Sequence, residues 1–194
     1  MTQSLDWRGY YDREGETKTF HPEVDPAERM RVDFVRRMTR NLDFASALDA
    51  GCGNGFLASR YLEWGATRVA GIDFSRPRLA DGSARYPAIR FSRASATSLP
   101  FADKSFELVS LVEVLEHLPE PRLALRELAR VASRYVVVSV PYRGKILEIT
   151  CPHCLKDFHF DGHIHSFDED KLSGLARESG LRVHFIGPYL PYYP

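Results

Sequence analysis

The chain has 194 residues, of which 44% are hydrophobic, and it carries 26 basic and 26 acidic side chains. A chain of this length is expected to form one domain, and its apolar content is ordinary for a protein that buries a core. A neutral chain without a dense basic run gives no reason to expect nucleic acid as a partner.

The start of the chain and its cysteines bear on location. Residues 1–4 form neither a basic nor an apolar segment, so no signal peptide is expected. The longest strongly apolar run, residues 135–142, is too short to cross a bilayer, and no membrane partner is expected. Three cysteines, an odd number, do not form a secreted disulfide framework. A cytoplasmic location is therefore predicted.

Strand and helix patterns alternate along the chain. Residues 1–25 are interpreted as an irregular lead-in, and a helix is predicted from Pro26 with Asp25 as its cap. Further helices are predicted at 54–64, 77–86, 121–132 and 168–179, and strands at 45–50, 68–73, 89–93, 106–112, 135–140 and 181–186. This alternation predicts an α/β fold of the Rossmann-like, doubly wound type, with a mostly parallel sheet and helices on both faces.

The two ends of the predicted sheet carry further expectations. The Val-rich run at 135–140 is typical of a strand buried on both faces. Three prolines in residues 187–194 disfavour another central strand, because proline cannot donate to the ladder. We therefore expect the seventh strand of such a sheet to be absent or vestigial. Either the chain is truncated, or another segment or a second subunit in an oligomer covers the exposed edge.

A glycine-rich loop, Asp49-Ala50-Gly51-Cys52-Gly53-Asn54-Gly55, follows the first predicted strand. Glycines at such a turn let the backbone approach a ligand closely. The third glycine of a dinucleotide fingerprint is replaced by Phe56. The Asp49 carboxylate would repel a pyrophosphate but suits a ligand that carries an ammonium and a sulfonium. S-adenosylmethionine is such a ligand.

Asp73 ends the second predicted strand, in the segment Gly71-Ile72-Asp73-Phe74-Ser75. A carboxylate at this place can accept hydrogen bonds from both hydroxyls of a ribose. Alone, the residue could equally cap the next helix. Its register with the glycine loop favours the ribose role.

Four segments occur in a fixed order: residues 49–55 (DAGCGNG), 71–75 (GIDFS), 99–106 (LPFADKSF) and 113–118 (EVLEHL). Together they resemble the ordered motifs of the class I S-adenosylmethionine-dependent methyltransferases, closest to the small-molecule, type 11-like group. The resemblance runs from about residue 45 to 141 and resumes at 162–180. It implies one methyltransferase domain over residues 1–194, with a Cys/His insertion at about 143–168.

The resemblance implies cofactor contacts for individual residues. Asp49, Gly51 and Gly53 would hold the methionine part of S-adenosylmethionine. Asp73 would hold the ribose, and Phe74 would pack on the adenine.

Further contacts would come from the later motifs. Ala96 would donate its backbone N–H to the adenine ring, and Glu113 would lie where cofactor and substrate meet. The residue before Ala96 is usually acidic in this family and accepts a hydrogen bond from the adenine amino group; here it is Ser95, whose hydroxyl would accept this bond instead.

The predicted reaction is methyl transfer from S-adenosylmethionine to a small-molecule acceptor, at oxygen or nitrogen rather than carbon. His117 is the candidate general base, with Glu113 beside it, because an imidazole titrates near neutrality. A packing role for His117 is the alternative. The Asn/Asp-Pro-Pro-Tyr motif of base-modifying methyltransferases does not follow the fourth predicted strand, which argues against DNA or protein-amide methylation.

Two other functions stay open. Glu113, Glu116 and His117 with a later histidine also resemble the metal-dependent RNA 3′-end ribose methyltransferases. The chain could alternatively be a non-catalytic module that binds zinc or the cofactor.

The insertion contains a cluster of metal-ligating residues. Cys151 and Cys154 form a C-x-x-C pair, and His159 and His163 have the H-x3-H spacing of many zinc sites. A structural zinc ion bound by these four residues, shaping a lid over the substrate, is predicted. A redox dithiol and a solvated loop without metal are the alternatives.

Overall fold

The structure is a computed structural model and describes residues 7–17, 25–150, 152, 153, 155, 157–159 and 162–188. The helices are α1 (Trp7–Thr17), α2 (Pro26–Thr39), α3 (Phe56–Glu63), α4 (Arg76–Arg85), α5 (Pro121–Val131) and α6 (Glu169–Glu178). The strands are β1 (Ser46–Ala50), β2 (Arg68–Asp73), β3 (Arg90–Arg93), β4 (Phe106–Val112), β5 (Ala132–Ser139), β6 (Glu148–Thr150) and β7 (Asp157–His159). A short 3-10 turn covers Leu115–His117.

Five strands form one parallel sheet in the order β3-β2-β1-β4-β5. The order reverses beside β1, where the chain passes from one half of the sheet to the other. In open α/β sheets a ligand crevice lies at this switch point, outside the carboxyl ends of the strands. β6 and β7 form a separate antiparallel pair. The predicted Rossmann-like fold is confirmed.

Apolar residues cover both faces of the sheet. On one face α2 and α3 pack against it through Val35, Leu57 and Tyr61. On the other face the buried side of α5 packs with the apolar residues of α6. All five residues of β1 are buried, as expected for a central strand between two helical layers.

Local sequence signals set most element boundaries. The side chain of Asp25 accepts a hydrogen bond from the N–H of Ala27 at 2.8 Å, and Pro26 is the first helical residue of α2. This confirms the predicted cap, because such a side chain satisfies one of the four free N–H groups at a helix start. β2 and β4 have the predicted bounds.

The last predicted strand is absent: residues 181–188 follow α6 as irregular chain. The alternation of apolar and polar residues there is typical of a strand, but a strand also needs a hydrogen-bonded neighbour. These residues line a cavity of about 690 Å³ along β5 instead. Among the described residues β5 therefore pairs only with β4, and its predicted burial on both faces is wrong. Residues 189–194 lie outside the described residues.

The lead-in prediction is also wrong for residues 7–17, which form α1. This helix packs against α4. Asp12 of α1 accepts a hydrogen bond from the backbone N–H of Arg76 and pairs with the Arg93 side chain, both at 2.8 Å. Glu14 pairs with Arg78 at 2.8 Å. These partners are distant in sequence, so local periodicity gives no sign of them.

No helix in the described part of the chain combines the length and apolar character needed to cross a membrane.

Candidate active site

The loops after β1, β2 and β4 surround a cavity of about 660 Å³. Its wall includes most of the predicted cofactor residues, namely Asp49, Gly51, Gly53, Asp73, Phe74, Ala96 and Glu113. His117 and His163, predicted for different roles, line the same cavity. The structure thus brings together residues from three of the four ordered motifs, 49–55, 71–75 and 113–118, at the carboxyl ends of the strands.

The glycine loop has a backbone that other residues would not adopt without strain. Gly51 has a φ of +78°, and a Cβ placed on it would lie 2.4 Å from Cγ2 of Val114. The N–H groups of Gly51 and Cys52 both donate to the carbonyl of Ile72, at 2.7 and 2.9 Å. Glycine is needed here both for the left-handed conformation and for the close approach of Val114.

Asp49 is a buried carboxyl group at the end of β1, only 2% exposed. The hydroxyl of Ser110 donates to its Oδ1 at 2.7 Å. Burial raises the pKa of Asp49 to about 7, and the Ser110 hydrogen bond opposes this only in part. A cationic ligand in the cavity would stabilise the ionised form, because opposite charges attract strongly in a poorly solvated site.

Asp73 accepts two backbone hydrogen bonds, one on each carboxylate oxygen. The N–H of Gly53 donates to Oδ2 and the N–H of Ser75 donates to Oδ1, both at 2.8 Å. Each oxygen has a second lone pair, so the group can still accept from a diol. The cap residue of α4 is Ser75, not Asp73.

Ser95 is turned into its own loop. Its Oγ accepts from the N–H of Thr97 at 3.1 Å and lies 2.7 Å from the Thr97 hydroxyl. It is not among the residues that line the cavity, whereas its neighbours Ala94 and Ala96 are. The structure therefore brings Ala96, but not Ser95, to the predicted adenine site.

Helix α1 forms part of the cavity wall through Tyr10, Tyr11 and Glu14. Burial raises the pKa of Tyr11, and its ring meets the ring of His117 edge-on with 6.3 Å between centroids. Sequence reasoning missed these residues because α1 lacks an apolar face. The aromatic pair in an otherwise polar segment was the one available signal.

Glu113 combines backbone strain with a fixed side chain. Its φ is +55°, a left-handed conformation that costs a residue with a Cβ about 1–3 kcal/mol. Its Oε1 accepts a hydrogen bond from the hydroxyl of Ser139 at 2.7 Å. Strain of this kind is retained mainly where the surrounding structure positions a functional group.

A second buried carboxyl group, Glu116, lies beside two imidazoles. Its Oε1 is 3.7 Å from Nε2 of His117 and 3.9 Å from Nε2 of His163. Burial, followed by the charge of Glu113, raises the pKa of Glu116 to about 8. The Nδ1 of His117 lies 3.1 Å from the carbonyl of Gly162, and a carbonyl can only accept. His117 Nδ1 is thus the donor, and Nε2 carries the lone pair of the neutral ring.

Only one member of the predicted zinc set has a described side chain. Cys151 and Cys154 lie outside the described residues, and so does the side chain of His159. His163 is described, and it faces Glu116 in the cavity.

The charged side chains that line the cavity are mainly acidic. Among the described residues its acidic side chains are Glu14, Asp25, Glu28, Asp49, Asp73, Glu113 and Glu116, and its arginines are Arg31 and Arg78. Such a site favours a ligand with positive charge.

Comparison with known proteins agrees with this geometry. Residues 48–137 match a family model described as a methyltransferase domain. The chain is 30% identical over 179 residues to the O-methyltransferase resE of Aspergillus sclerotiorum, covering 82% of this chain and 66% of that protein. It is 33% identical over 128 residues to a ubiquinone biosynthesis O-methyltransferase of Alkalilimnicola ehrlichii, covering 62% of this chain and 49% of that protein.

A solved S-adenosylmethionine-dependent methyltransferase from Mesorhizobium loti has the same fold, with a TM-score of 0.64 at 18% identity and 82% of each chain covered. The chain spans between about half and two thirds of the length of the two curated relatives.

Proposed function

The chain belongs to the class I S-adenosylmethionine-dependent methyltransferases, and we propose that it transfers the methyl group of S-adenosylmethionine to a small-molecule acceptor. The observation that carries this proposal is the position of Asp49 and Asp73 on one cavity wall, at the ends of adjacent strands. The first is a buried carboxyl group suited to a cation, and the second is a carboxylate with lone pairs for a diol.

The chain's own residues fit this cofactor in charge and in shape. Asp49 would pair with the positive methionine end, and Gly51 and Gly53 bring backbone without side chains to the cavity wall beside it. Asp73 would hold the ribose, with Phe74 and Ala96 at the adenine. Bound S-adenosylmethionine supplies a methyl carbon on a positively charged sulfur, which an aligned nucleophile attacks by direct displacement.

The acceptor is proposed to enter at the end of the cavity formed by Glu113 and His117. Oxygen is the proposed methylated atom, supported by the two relatives named O-methyltransferases. The new oxygen–carbon bond forms as the carbon–sulfur bond breaks, and the electron pair of that bond stays on sulfur. The proton of the acceptor is proposed to leave at the His117 end of the cavity. It goes to Nε2 when no cation is bound there, and to solvent when a cation lowers the pKa of the acceptor hydroxyl.

Glu113 is proposed as a positioning residue. Its side chain is held by Ser139, so it can orient the acceptor or the methionine amine without moving.

The sequence-based alternatives, an RNA 3′-end ribose methyltransferase and a non-catalytic module, stay predictions. For the module, the discriminating feature is the cavity: an occluded pocket would favour it, whereas a volume of about 660 Å³ supports catalysis. For the RNA enzyme, metal bound jointly by Glu113, Glu116 and His117 would favour it. Glu113 Oε1 is instead engaged by Ser139.

A zinc ion in the insertion is also proposed. β6 and β7 form an antiparallel pair with Thr150 opposite Asp157, and the C-x-x-C pair lies between these two strands in the sequence. This arrangement of the flanking strands is compatible with a zinc knuckle, and Cys151, Cys154 and His159 remain its proposed ligands. The position of His163 beside Glu116 leaves open whether it is the fourth.

The edge of β5 has no strand partner among the described residues, which supports oligomerisation as a further proposal that light scattering on the purified chain can test. The cytoplasmic location rests on the cysteine pattern.

The function is tested by calorimetry with S-adenosylmethionine and by mass spectrometry of reactions with a panel of phenols, alcohols and amines. We expect cofactor binding and formation of S-adenosylhomocysteine with at least one oxygen acceptor. Failure of the chain to bind either S-adenosylmethionine or S-adenosylhomocysteine would overturn the proposal.

A further inference from the structure

Two segments far apart in sequence are joined at the acceptor end of the cavity. The backbone N–H groups of Ile164 and His165 donate to the carbonyl of Glu116, at 2.9 and 3.1 Å. The ring of His117 bonds to the carbonyl of Gly162. These bonds hold the 3-10 turn after β4 against the chain that precedes α6.

The junction brings three metal-ligating side chains together. One ligand atom from each of Glu116, His117 and His163 lies within 4.8 Å of the other two. All three residues line the cavity that also contains Asp49 and Asp73. The cluster is therefore placed beside the proposed cofactor site, on the acceptor side.

The Glu116 side chain gives a second, independent indication that this cluster binds a cation. Its side chain is 1% exposed, and neither of its oxygens has a hydrogen-bond partner among the described residues. The two imidazoles are too distant to donate to it, at 3.7 and 3.9 Å. Buried carboxylates are ordinarily paired, hydrogen-bonded or bound to a metal ion.

We propose that Glu116, His117 and His163 bind one divalent cation. Metal–ligand bonds of about 2.0–2.2 Å place neighbouring ligands of a tetrahedral site roughly 3.3–3.5 Å apart. The two carboxylate–imidazole distances of 3.7 and 3.9 Å need to shorten by a few tenths of an ångström, and the largest separation in the cluster, within 4.8 Å, by up to about 1.4 Å. The Gly162 carbonyl fixes the His117 ring with Nε2 toward the cluster. A backbone carbonyl is a usual hydrogen-bond partner for the second nitrogen of a histidine that binds a metal ion.

Two imidazoles and one carboxylate suit zinc and neighbouring transition metals rather than magnesium or calcium. Three protein ligands also leave a coordination position open, as in catalytic rather than structural zinc sites. The site therefore differs in kind from the predicted zinc knuckle, which would be closed by four protein ligands.

The inferred substrate class follows from the open position, and this step rests on the proposed methyl transfer. A cation here would bind an acceptor through a hydroxyl oxygen and lower the pKa of that hydroxyl. The proton leaves to solvent, the oxygen forms the bond to the methyl carbon, and the electron pair of the broken carbon–sulfur bond stays on sulfur. The site would thus select acceptors with an oxygen ligand over simple amines.

The test needs a protein in which the insertion thiolates do not compete for metal. We suggest the full chain carrying Cys151→Ser and Cys154→Ser, titrated with ZnCl₂ by calorimetry after treatment with a chelator. In this background we expect one zinc ion per chain. Glu116→Gln and His163→Asn should each weaken binding by roughly a hundredfold, since even loss of an outer partner costs about 10–100-fold. His184→Asn, on the exposed segment after α6, is the control and should bind zinc like the background protein.

Thermal unfolding provides a readout that does not depend on activity. Zinc should raise the Tm of the background protein and of His184→Asn, because a ligand that binds only the folded state stabilises it. Without zinc, Glu116→Gln should melt no lower than the background, since it removes a buried carboxyl group without a partner. It should show no shift when zinc is added.

Two results would overturn the site. One is a zinc affinity that is unchanged in Glu116→Gln and His163→Asn, and the other is a background protein that binds no zinc once Cys151 and Cys154 are replaced by Ser. Calorimetry with S-adenosylmethionine on the zinc-free proteins separates this outcome from failure of the proposed function. Loss of the metal site alone leaves cofactor binding intact, whereas failure of the proposed function is an absence of cofactor binding in every protein.

Discussion

The carboxylate of Asp73 accepts a hydrogen bond of 2.8 Å from the backbone N–H of Gly53, which ties the loop after β1 to the end of β2. The same carboxylate is the proposed ribose ligand. In this proposal one side chain both orders the glycine loop and would contact the cofactor, so cofactor affinity is expected to depend on it in two ways.

Replacement of Asp73 by Ala is expected to weaken S-adenosylmethionine binding by at least about two orders of magnitude. Two hydrogen bonds to a charged group, at about 1.5–3 kcal/mol each, are lost. Asp73→Asn keeps one acceptor oxygen and should fall between Ala and wild type. Calorimetry on the three proteins measures the effect, and equal affinities would refute the ribose assignment.

The affinity for S-adenosylmethionine should rise with pH as Asp49 ionises. Its pKa is about 7, and a cationic ligand binds the carboxylate rather than the acid. Between about pH 5 and pH 7 the ligand amine stays charged, so affinity should increase by up to about tenfold per pH unit. Asp49→Asn should bind weakly and show a flat profile. A wild-type affinity that is constant over this range would contradict the prediction.

The same shift affects stability in the opposite direction. The folded-state pKa of Asp49 lies above its ordinary value of 3.8, so the unfolded chain releases this proton first. The contribution of Asp49 to folding is therefore lost as pH rises from about 4 to 7. Denaturant unfolding of wild type and Asp49→Asn should show that the variant loses less stability over this range.

Gly51→Ala should destabilise the fold more than Gly180→Ala does. Both glycines have positive φ, +78° and +85°, and alanine there costs about 1–2 kcal/mol. Only at Gly51 would the new Cβ collide with Val114; at Gly180 nothing lies within 4 Å. Crowding should add about 1–3 kcal/mol to the loss in free energy of unfolding, and cofactor affinity should fall only in Gly51→Ala. Equal losses in both variants would show that the loop relaxes.

Asp12→Ala should loosen α1 and weaken cofactor binding by up to about tenfold. It removes two hydrogen bonds that connect α1 to Arg76 and Arg93, each worth about 0.5–1.5 kcal/mol. Amide hydrogen exchange in residues 7–17 should become faster. Asp103 forms a similar ion pair with Arg130 at 2.9 Å, and neither residue lines the cavity. Asp103→Ala should therefore leave the exchange rates and the cofactor affinity unchanged. Unchanged exchange in Asp12→Ala would show that these two hydrogen bonds do not hold α1 in place.

The insertion should carry one zinc ion, and its two cysteine thiols should be protected from thiol reagents. Elemental analysis of protein purified without a polyhistidine tag, together with a thiol titration before and after chelation, tests this. Zinc bound by Cys151 and Cys154 should protect both thiols until the chelator is added, because the thiolates are its ligands. A disulfide, or two thiols that react at once in untreated protein, would favour the redox or the solvated-loop alternative.

Local sequence patterns were enough to predict most strands and helices of the fold and the residues proposed to bind the cofactor. Helix caps such as Asp25, the glycine turn and the buried runs of β1, β2 and β4 are set by neighbours in the chain, and local periodicity reports them. Asp49, Gly51, Gly53 and Asp73 could be placed together because the carboxyl ends of parallel strands share one edge of the sheet.

Which distant segments complete the site depends on tertiary packing. Helix α1 has no apolar stripe, and its position depends on partners in and after α4, including Arg76, about a third of the chain away. Backbone hydrogen bonds join the 3-10 turn after β4 to the segment before α6, and they bring the side chain of Glu116 beside that of His163. The segment 181–188 has the pattern of a strand but pairs with no strand in the described part of the chain. Such contacts are absent from any local pattern, because their free energy arises only when the two segments pack together.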